Sequence, residues 1–288
     1  MPGVEGRVVV VTGAGGGLGR RHALLFAARG AKVVVNDLGG ARDGTGAGSE
    51  MADGVVKEIL DAGGEAVATY DNVATSEGGQ AIVRAALEAF GHVDIVVNNA
   101  GILRDASFGK MTDQQWDAVL KVHLYGTYHV TRAAWPHFRE QSFGRVIVTT
   151  STSGLYGNFG QANYGAAKLA VVGLINTLAI EGRKYSITAN AVTPVATTRM
   201  TEDLFPSQIA EQFDPAYVSP AVVYLASEEC MYSGEVILAG GGQYSRISLV
   251  RSKGMRVDSV PTPDELAARW TQIMDLGDAE FGHPFSLA

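Results

Sequence analysis

Tyr164 and Lys168 stand four residues apart in the stretch "SGLYGNFGQANYGAAK" (153–168), a spacing that stacks two side chains on one helix face. A free tyrosine titrates near 10, so on the order of one in a thousand is phenolate at neutral pH. A neighbouring cation favours the charged form, and a phenolate so stabilised can take the proton of an alcohol. Tyr156 lies twelve residues before the lysine, in "GLYGNFG", where the glycines argue against a regular helix. It is expected to line a pocket or to pack, which leaves Tyr164 as the candidate general base. Just upstream, "TTSTSG" (149–154) offers Ser151 and Ser153 at the end of an apolar run. A hydroxyl there could hold a substrate oxygen and stabilise charge as a carbonyl forms, or could simply complete the strand-end hydrogen bonding.

A second constellation lies near the N-terminus. The stretch "TGAGGGLG" (12–19) follows an apolar run and opens a helical pattern. Gly13 permits a tight turn, Gly17 lets backbone approach a pyrophosphate, and Gly19 allows close helix packing; the helix N-terminus then offers free N–H groups to the phosphates. Glycine-rich turns also occur without a ligand, so the next strand matters. Asp37 closes it, 18 residues after Gly19, where a carboxylate accepts bonds from an adenosine ribose. A carboxylate there repels a 2′-phosphate, which favours NAD over NADP. Arg42, the contrary sign, sits in the glycine-rich insert "GGARDGTGAG" (39–48) and is expected to be solvated.

These residues need a scaffold, and the rest of the chain reads as one. Near-continuous Val/Ile runs at 7–13, 31–37, 65–71, 93–99, 145–151 and 187–194 suit strands buried on both faces, with 234–241 as a seventh candidate. Helical patterns at 18–29, 50–62, 76–90, 112–140 and 163–183 alternate with them. The series predicts an α/β fold: a doubly wound parallel sheet of about seven strands, of Rossmann type. We read residues 1–254 as a single dinucleotide-binding catalytic domain. Residues 255–288 read as a helical extension packed on it or on a neighbouring subunit, with "PTPDELAARW" opening a helix behind a proline and acidic first-turn residues.

The ordered set "TGAGGGLG", "NNAG" (98–101), Ser151, "YGAAK" and Pro194 resembles the short-chain dehydrogenase/reductase family over residues 7 to about 245. The stretches "VNDLGG", "NNAGILRD", "TRAAW", "YGNFGQANY" and "TPDELAARW" resemble more narrowly the (3R)-hydroxyacyl-CoA dehydrogenase units of peroxisomal multifunctional enzymes. The family spacing selects Ser151, thirteen residues before Tyr164, as the partner of Tyr164 and Lys168. The resemblance implies that NAD is held by Gly13, Gly17, Leu18, Gly19, Asp37, Asn99, Ala100, Gly101, Tyr164, Lys168 and Pro194. Asp71 and Val73 would flank the adenine, and Thr198 would meet the carboxamide or a phosphate. Two departures stand out. His123, in "KVHLYGTY", occupies the place of the family's asparagine, either as a packed helix histidine or in a proton relay. Val195 replaces the glycine of the family's Pro-Gly. The resemblance also implies a homodimer or higher homo-oligomer built on the helices near 112–140 and 163–183. The expected reaction interconverts a 3-hydroxyacyl-CoA and a 3-oxoacyl-CoA; a hydroxysteroid or other secondary-alcohol dehydrogenase is the alternative on the same fold.

Composition limits the other possibilities. A formal charge of −7 argues against a nucleic-acid or anionic-membrane binder. No uninterrupted apolar run of about 20 residues is present for a membrane span. The lone cysteine, Cys230, fits a reducing compartment, and with no signal-like start and no Ser-Lys-Leu ending the cytoplasm is the expected location. The six histidines do not cluster with it in a metal-ligand pattern. The one local excess of cations is Arg246, Arg251, Lys253 and Arg256. They are expected either to meet the phosphates of CoA or to form a solvated basic stretch that pairs with acidic residues of a neighbouring subunit.

Overall fold

The computed structural model of the chain describes residues 3–197 and 211–282. The chain forms two compact units, Met1–Ser245 and Arg246–Ala288. In the first, the apolar runs become strands for the reason read above: with no polar face to offer water, they must be covered on both sides. They are β1 (Val8–Thr12), β2 (Lys32–Asn36), β3 (Glu65–Thr69), β4 (Ile95–Asn98), β5 (Gly144–Thr149), β6 (Ile187–Pro194) and β7 (Val236–Gly240). Every residue of β1 and β4 is buried. The spatial order is β3-β2-β1-β4-β5-β6-β7, and all neighbouring pairs are parallel.

An eighth strand, β8 (Gln243–Ile247), extends the sheet beyond the seven expected. It follows the Gly241–Gly242 turn, where both glycines hold positive φ, at 55° and 77°, as a tight antiparallel hairpin requires. Its residues are mostly exposed and polar, so no buried run announces it.

Helices cover the sheet: α1 (Gly17–Ala28), α2 (Glu50–Asp61), α3 (Ser76–Phe90), α4 (Asp113–Leu120), α5 (Gly126–Gln141), α6 (Thr152–Tyr156), α7 (Ala162–Gly182) and α8 (Ser219–Ala226). The 112–140 pattern is not one helix. A capping box of Thr112 and Gln115 starts α4, and a π-helical turn over Lys121–Tyr125 joins it to α5. The 152–156 segment, expected to be irregular, forms one helical turn because the Ser151 hydroxyl caps it and Gly157, at φ 83°, ends it. Phe26, Val9, Val33, Ile59 and Ile95 are fully enclosed between sheet and helices. Because the strand order turns at β1 and β4, the crevice beyond their C-terminal ends is where such sheets bind ligands.

α7 with its following turn, Ala162–Tyr185, is long and apolar enough to cross a membrane by length and composition. It nevertheless buries Lys168, Val171, Val172 and Ile175, while Leu169 and Ile180 remain about half exposed.

The second unit has a two-stranded antiparallel pairing of β9 (Val250–Arg251) with β10 (Glu280–Phe281). Its short helices are α9 (Pro263–Ala268) and α10 (Trp270–Met274), the former started by a Thr262–Glu265 capping box. The basic stretch finds acidic partners within this unit: Arg251 lies 3.5 Å from Glu280 and Lys253 lies 3.3 Å from Asp278. The Arg246 guanidinium sits 5.3 Å from the centre of the Phe281 ring.

Candidate active site

A cavity of about 340 Å³ opens at the crevice between the ends of β1 and β4. Its walls include Gly13, Gly17, Leu18, Asp37, Asp71, Val73, Asn99, Ala100 and Gly101. Nine residues scattered over the sequence thus meet on one surface. Leu38, Gly40, Ala41, Arg42 and Gly44 of the insert add a further wall, so the glycine-rich segment is part of the site and not a loose surface loop.

The glycine turn is held open by contacts that side chains would fill. Gly13 has φ 63°, and a Cβ there would come within 2.8 Å of the Ala100 Cα. Gly19 packs against the Gly13 carbonyl, and the Asn99 amide nitrogen donates to the carbonyl oxygens of Thr12 and Gly13 at 3.0 and 3.1 Å. Gly15 escaped the sequence reading. A Cβ on it would lie 2.8 Å from an Asp37 oxygen, and its N–H instead donates to that carboxylate at 2.8 Å. The other Asp37 oxygen accepts from Gly39 N–H at 2.8 Å. Asp37 therefore ties the glycine turn to the base of the insert while also lining the cavity. The spacing of glycine and aspartate was visible in the sequence, but the bond between them depends on two strands lying side by side.

The shape and chemistry fit a dinucleotide. A glycine turn without side chains leads into α1, a carboxylate stands at the end of β2, and Asp71 and Val73 stand at the end of β3. Pro194 ends β6 but does not line the cavity. Thr198 lies outside the described residues.

Ser151, Tyr164 and Lys168 meet beside this cavity, at the C-terminal end of β5 and the start of α7. The Ser151 hydroxyl faces that of Tyr164 and favours its ionised form. The Ser153 backbone N–H donates to Ser151 Oγ at 3.2 Å, so Ser153 serves the serine through its main chain. The Lys168 ammonium donates to the Thr149 carbonyl at 2.5 Å and sits 5.6 Å from the centre of the Tyr164 ring. Thr150 Oγ1 donates to the Lys168 carbonyl at 2.6 Å, which fixes the helix against the strand. Tyr156 is 71% exposed, far too open to share the chemistry of Tyr164.

The electrostatics depart from expectation. Burial raises the Tyr164 hydroxyl to about 12; the Ser151 hydroxyl pulls the other way and the Asp105 carboxylate adds to the rise. Burial also lowers the Lys168 ammonium to about 7. Loss of water from both side chains outweighs the mutual attraction that the i, i+4 spacing suggested.

His123 lies in the π-helical turn and is buried. Its ring meets that of Tyr164 edge-on at 5.1 Å. A Cβ on Gly101 would come within 2.4 Å of His123 Cε1, so the histidine ring is the partition between the cavity wall and the tyrosine. Its Nε2 is 3.1 Å from Ile102 N and 2.9 Å from Ile102 O, and its Nδ1 has no partner in the protein. Burial first, and then the charge of Lys168, hold its pKa well below the ordinary value, so the ring is neutral near pH 7.

Residues 7–208 match the short chain dehydrogenase family. The chain is a member of that family. Its members are oxidoreductases that act on a CH–OH group with a nicotinamide cofactor. Among the relatives, a Mycobacterium tuberculosis protein named as a short-chain type dehydrogenase/reductase is 62% identical over 97% of this chain and 98% of its own length. The mouse peroxisomal multifunctional enzyme type 2 is 51% identical over 96% of this chain but only 37% of its own length. The solved structure of full-length peroxisomal multifunctional enzyme type 2 from Drosophila melanogaster superimposes with a TM-score of 0.82 at 40% identity, covering 99% of this chain and 48% of that one. The chain thus corresponds to the dehydrogenase unit of these longer proteins. Among the described residues, no group of three or more His, Cys, Asp or Glu could hold a metal ion.

Proposed function

We propose that the protein is an NAD-dependent dehydrogenase interconverting a 3-hydroxyacyl-CoA, of 3R configuration, and a 3-oxoacyl-CoA. The observation that carries the reaction type is the grouping of Ser151, Tyr164 and Lys168 at the end of β5 and the start of α7. The substrate class follows the likeness to the multifunctional enzymes across nearly the whole chain.

NAD would be held by Gly13, Gly17, Leu18 and Gly19 at the phosphates, Asp37 at the ribose, Asp71 and Val73 at the adenine, and Asn99, Ala100 and Gly101 along the floor. Tyr164, Lys168, Pro194 and Thr198 would lie at the nicotinamide end. A bound NAD would supply hydride transfer at the carbon bearing the substrate oxygen. Ser151 holds that oxygen by hydrogen bonding, and Tyr164 carries its proton. A tyrosine held near 12 is protonated at neutral pH, so it stands ready to donate to a carbonyl. Accepting a proton from an alcohol requires its phenolate, which a charged Lys168 favours. His123 acts as a neutral ring that walls Tyr164 and keeps Nδ1 available to a proton relay.

The CoA phosphates find weaker support in the basic stretch than its sequence suggests, since Arg251 and Lys253 have acidic neighbours. A homodimer is supported by the exposed apolar residues Leu169 and Ile180 of α7 and by Tyr125 and Tyr128, at the π-turn and on α5. For location, the cytoplasm remains the reading that the lone buried cysteine supports. The deciding measurement is NADH formation with 3-hydroxyacyl-CoA thioesters of both configurations and with free hydroxysteroids. Turnover of the 3R thioester is expected; turnover confined to the steroids would overturn the substrate assignment.

A further inference from the structure

We propose that Asn163 is a positioning residue for the reaction: it fixes Tyr164 to the segment 102–106, and through that segment to the insert lining the dinucleotide cavity. The proposal rests on the reading of Tyr164 as the proton carrier.

The start of α7 lacks an ordinary cap. Gln161 stands at the capping position without a side-chain bond to the first turn, and that turn has no acidic residue. Orphan N–H groups at a helix start need acceptors. Asn163 supplies one from inside the helix, its Oδ1 accepting from Tyr164 N–H at 2.8 Å. Its Nδ2 donates to Arg104 O at 3.0 Å and to Gln115 O at 3.1 Å. The side chain is fully buried, and both its amide hydrogens are given to carbonyls. Three elements are thereby pinned at one point: the peptide of Tyr164, the segment 102–106 and helix α4.

The segment on the far side of this junction is itself braced. Ala106 N–H donates to Gly160 O at 2.9 Å and the Gln161 amide to Asp105 at 2.8 Å. On the cavity side, Leu103 N–H donates to Arg42 O at 3.0 Å and Arg104 Nε to Asp43 O at 2.8 Å. Residues 102–106 thus run as a strut from the insert to the tyrosine, and Asn163 is its buried fastening. A helix start released here lets the tyrosine hydroxyl drift from Ser151, and reacting groups misplaced by about 1 Å can lose on the order of a hundredfold in rate.

The test compares Asn163→Ala, Asn163→Ser and Tyr164→Phe in the full chain. A serine has a single hydrogen to give and cannot keep both donations, so it serves if the alanine variant folds poorly. NADH binding is followed by fluorescence to count competent sites, and kcat per site is measured against pH with a 3-hydroxyacyl-CoA. The expected result is a fall in kcat per site of about tenfold or more, an NADH Kd within about twofold of the parent, and a displaced pH profile. Fewer binding sites with unchanged kcat per site and unchanged profile would show a purely structural asparagine and overturn the proposal. Retained turnover in Tyr164→Phe would instead defeat the reading of the tyrosine, whatever Asn163 does.

Discussion

The tyrosine and lysine illustrate how far a residue's chemistry depends on the solvent it loses. Their spacing in "YGAAK" was enough to pair them, but the direction of their pKa shifts was not, because burial is a property of the assembled fold. Tyr164→Phe should lower turnover by about three orders of magnitude or more while leaving NADH binding intact, since only the hydroxyl proposed to carry the proton is removed. Tyr156→Phe, at an open position, should cost far less; comparable losses in steady-state kinetics would refute the assignment. Lys168 gives a second test, in stability. Its folded pKa near 7 lies below the unfolded value of 10.5, so between these values the unfolded chain binds the extra proton. This group therefore adds stability as pH rises through that window and removes it as pH falls. Lys168→Met should abolish activity yet raise stability near pH 6 by on the order of 1–3 kcal/mol. The gain should fade as pH approaches 10; thermal melts across pH would show it, and a pH-independent difference would contradict it.

Among the elements, those with a strong apolar period were legible and those defined by hydrogen-bond geometry were not. The seven Val/Ile-rich strands could be read because burial on both faces leaves an unbroken apolar run. The π-turn over Lys121–Tyr125 could not, because one extra residue per turn leaves no compositional mark. Nor could the role of the insert, whose glycines looked like solvent-exposed slack. Its base is a close crossing: Gly39 has φ 74°, and a Cβ there would lie 2.1 Å from Gly48 O. Gly39→Ala should pry the insert from the cavity. A left-handed penalty of about 1–2 kcal/mol for a side chain corresponds to a rise in KM for NAD of about fivefold or more. Titration with NAD at fixed substrate measures this, and an unchanged KM would mean that the insert does not brace the site.

For the molecule as a whole, the apolar outer face of α7 sets the expectation. The proposed homo-oligomer would cover Leu169 and Ile180, which this helix turns outward while holding Lys168 inward. The double variant Leu169→Asp, Ile180→Asp should shift the protein to a monomer in light scattering and lower its Tm by several degrees; unchanged assembly would place the interface elsewhere. Sequence alone suggested this face only through the resemblance, which implies an oligomer built on the helices near 112–140 and 163–183. The second unit was legible in the helix start of "PTPDELAARW", with its proline and acidic first-turn residues, but not in its ion pairs, because Glu280 and Asp278 lie some 25–29 residues from their partners.

Asp37 carries a consequence for how this protein could change over generations. Its two oxygens fasten Gly15 and Gly39, and the residue also lines the cavity where the proposed ribose contact would lie. A lineage drifting toward the phosphorylated dinucleotide cannot simply discard the negative charge, because the acceptors that hold turn and insert would go with it. The accessible route runs through asparagine or serine at this position, with a basic residue recruited from the insert afterwards. The proposed preference for NAD would thereby be buffered against single mutations by the architecture of the turn itself.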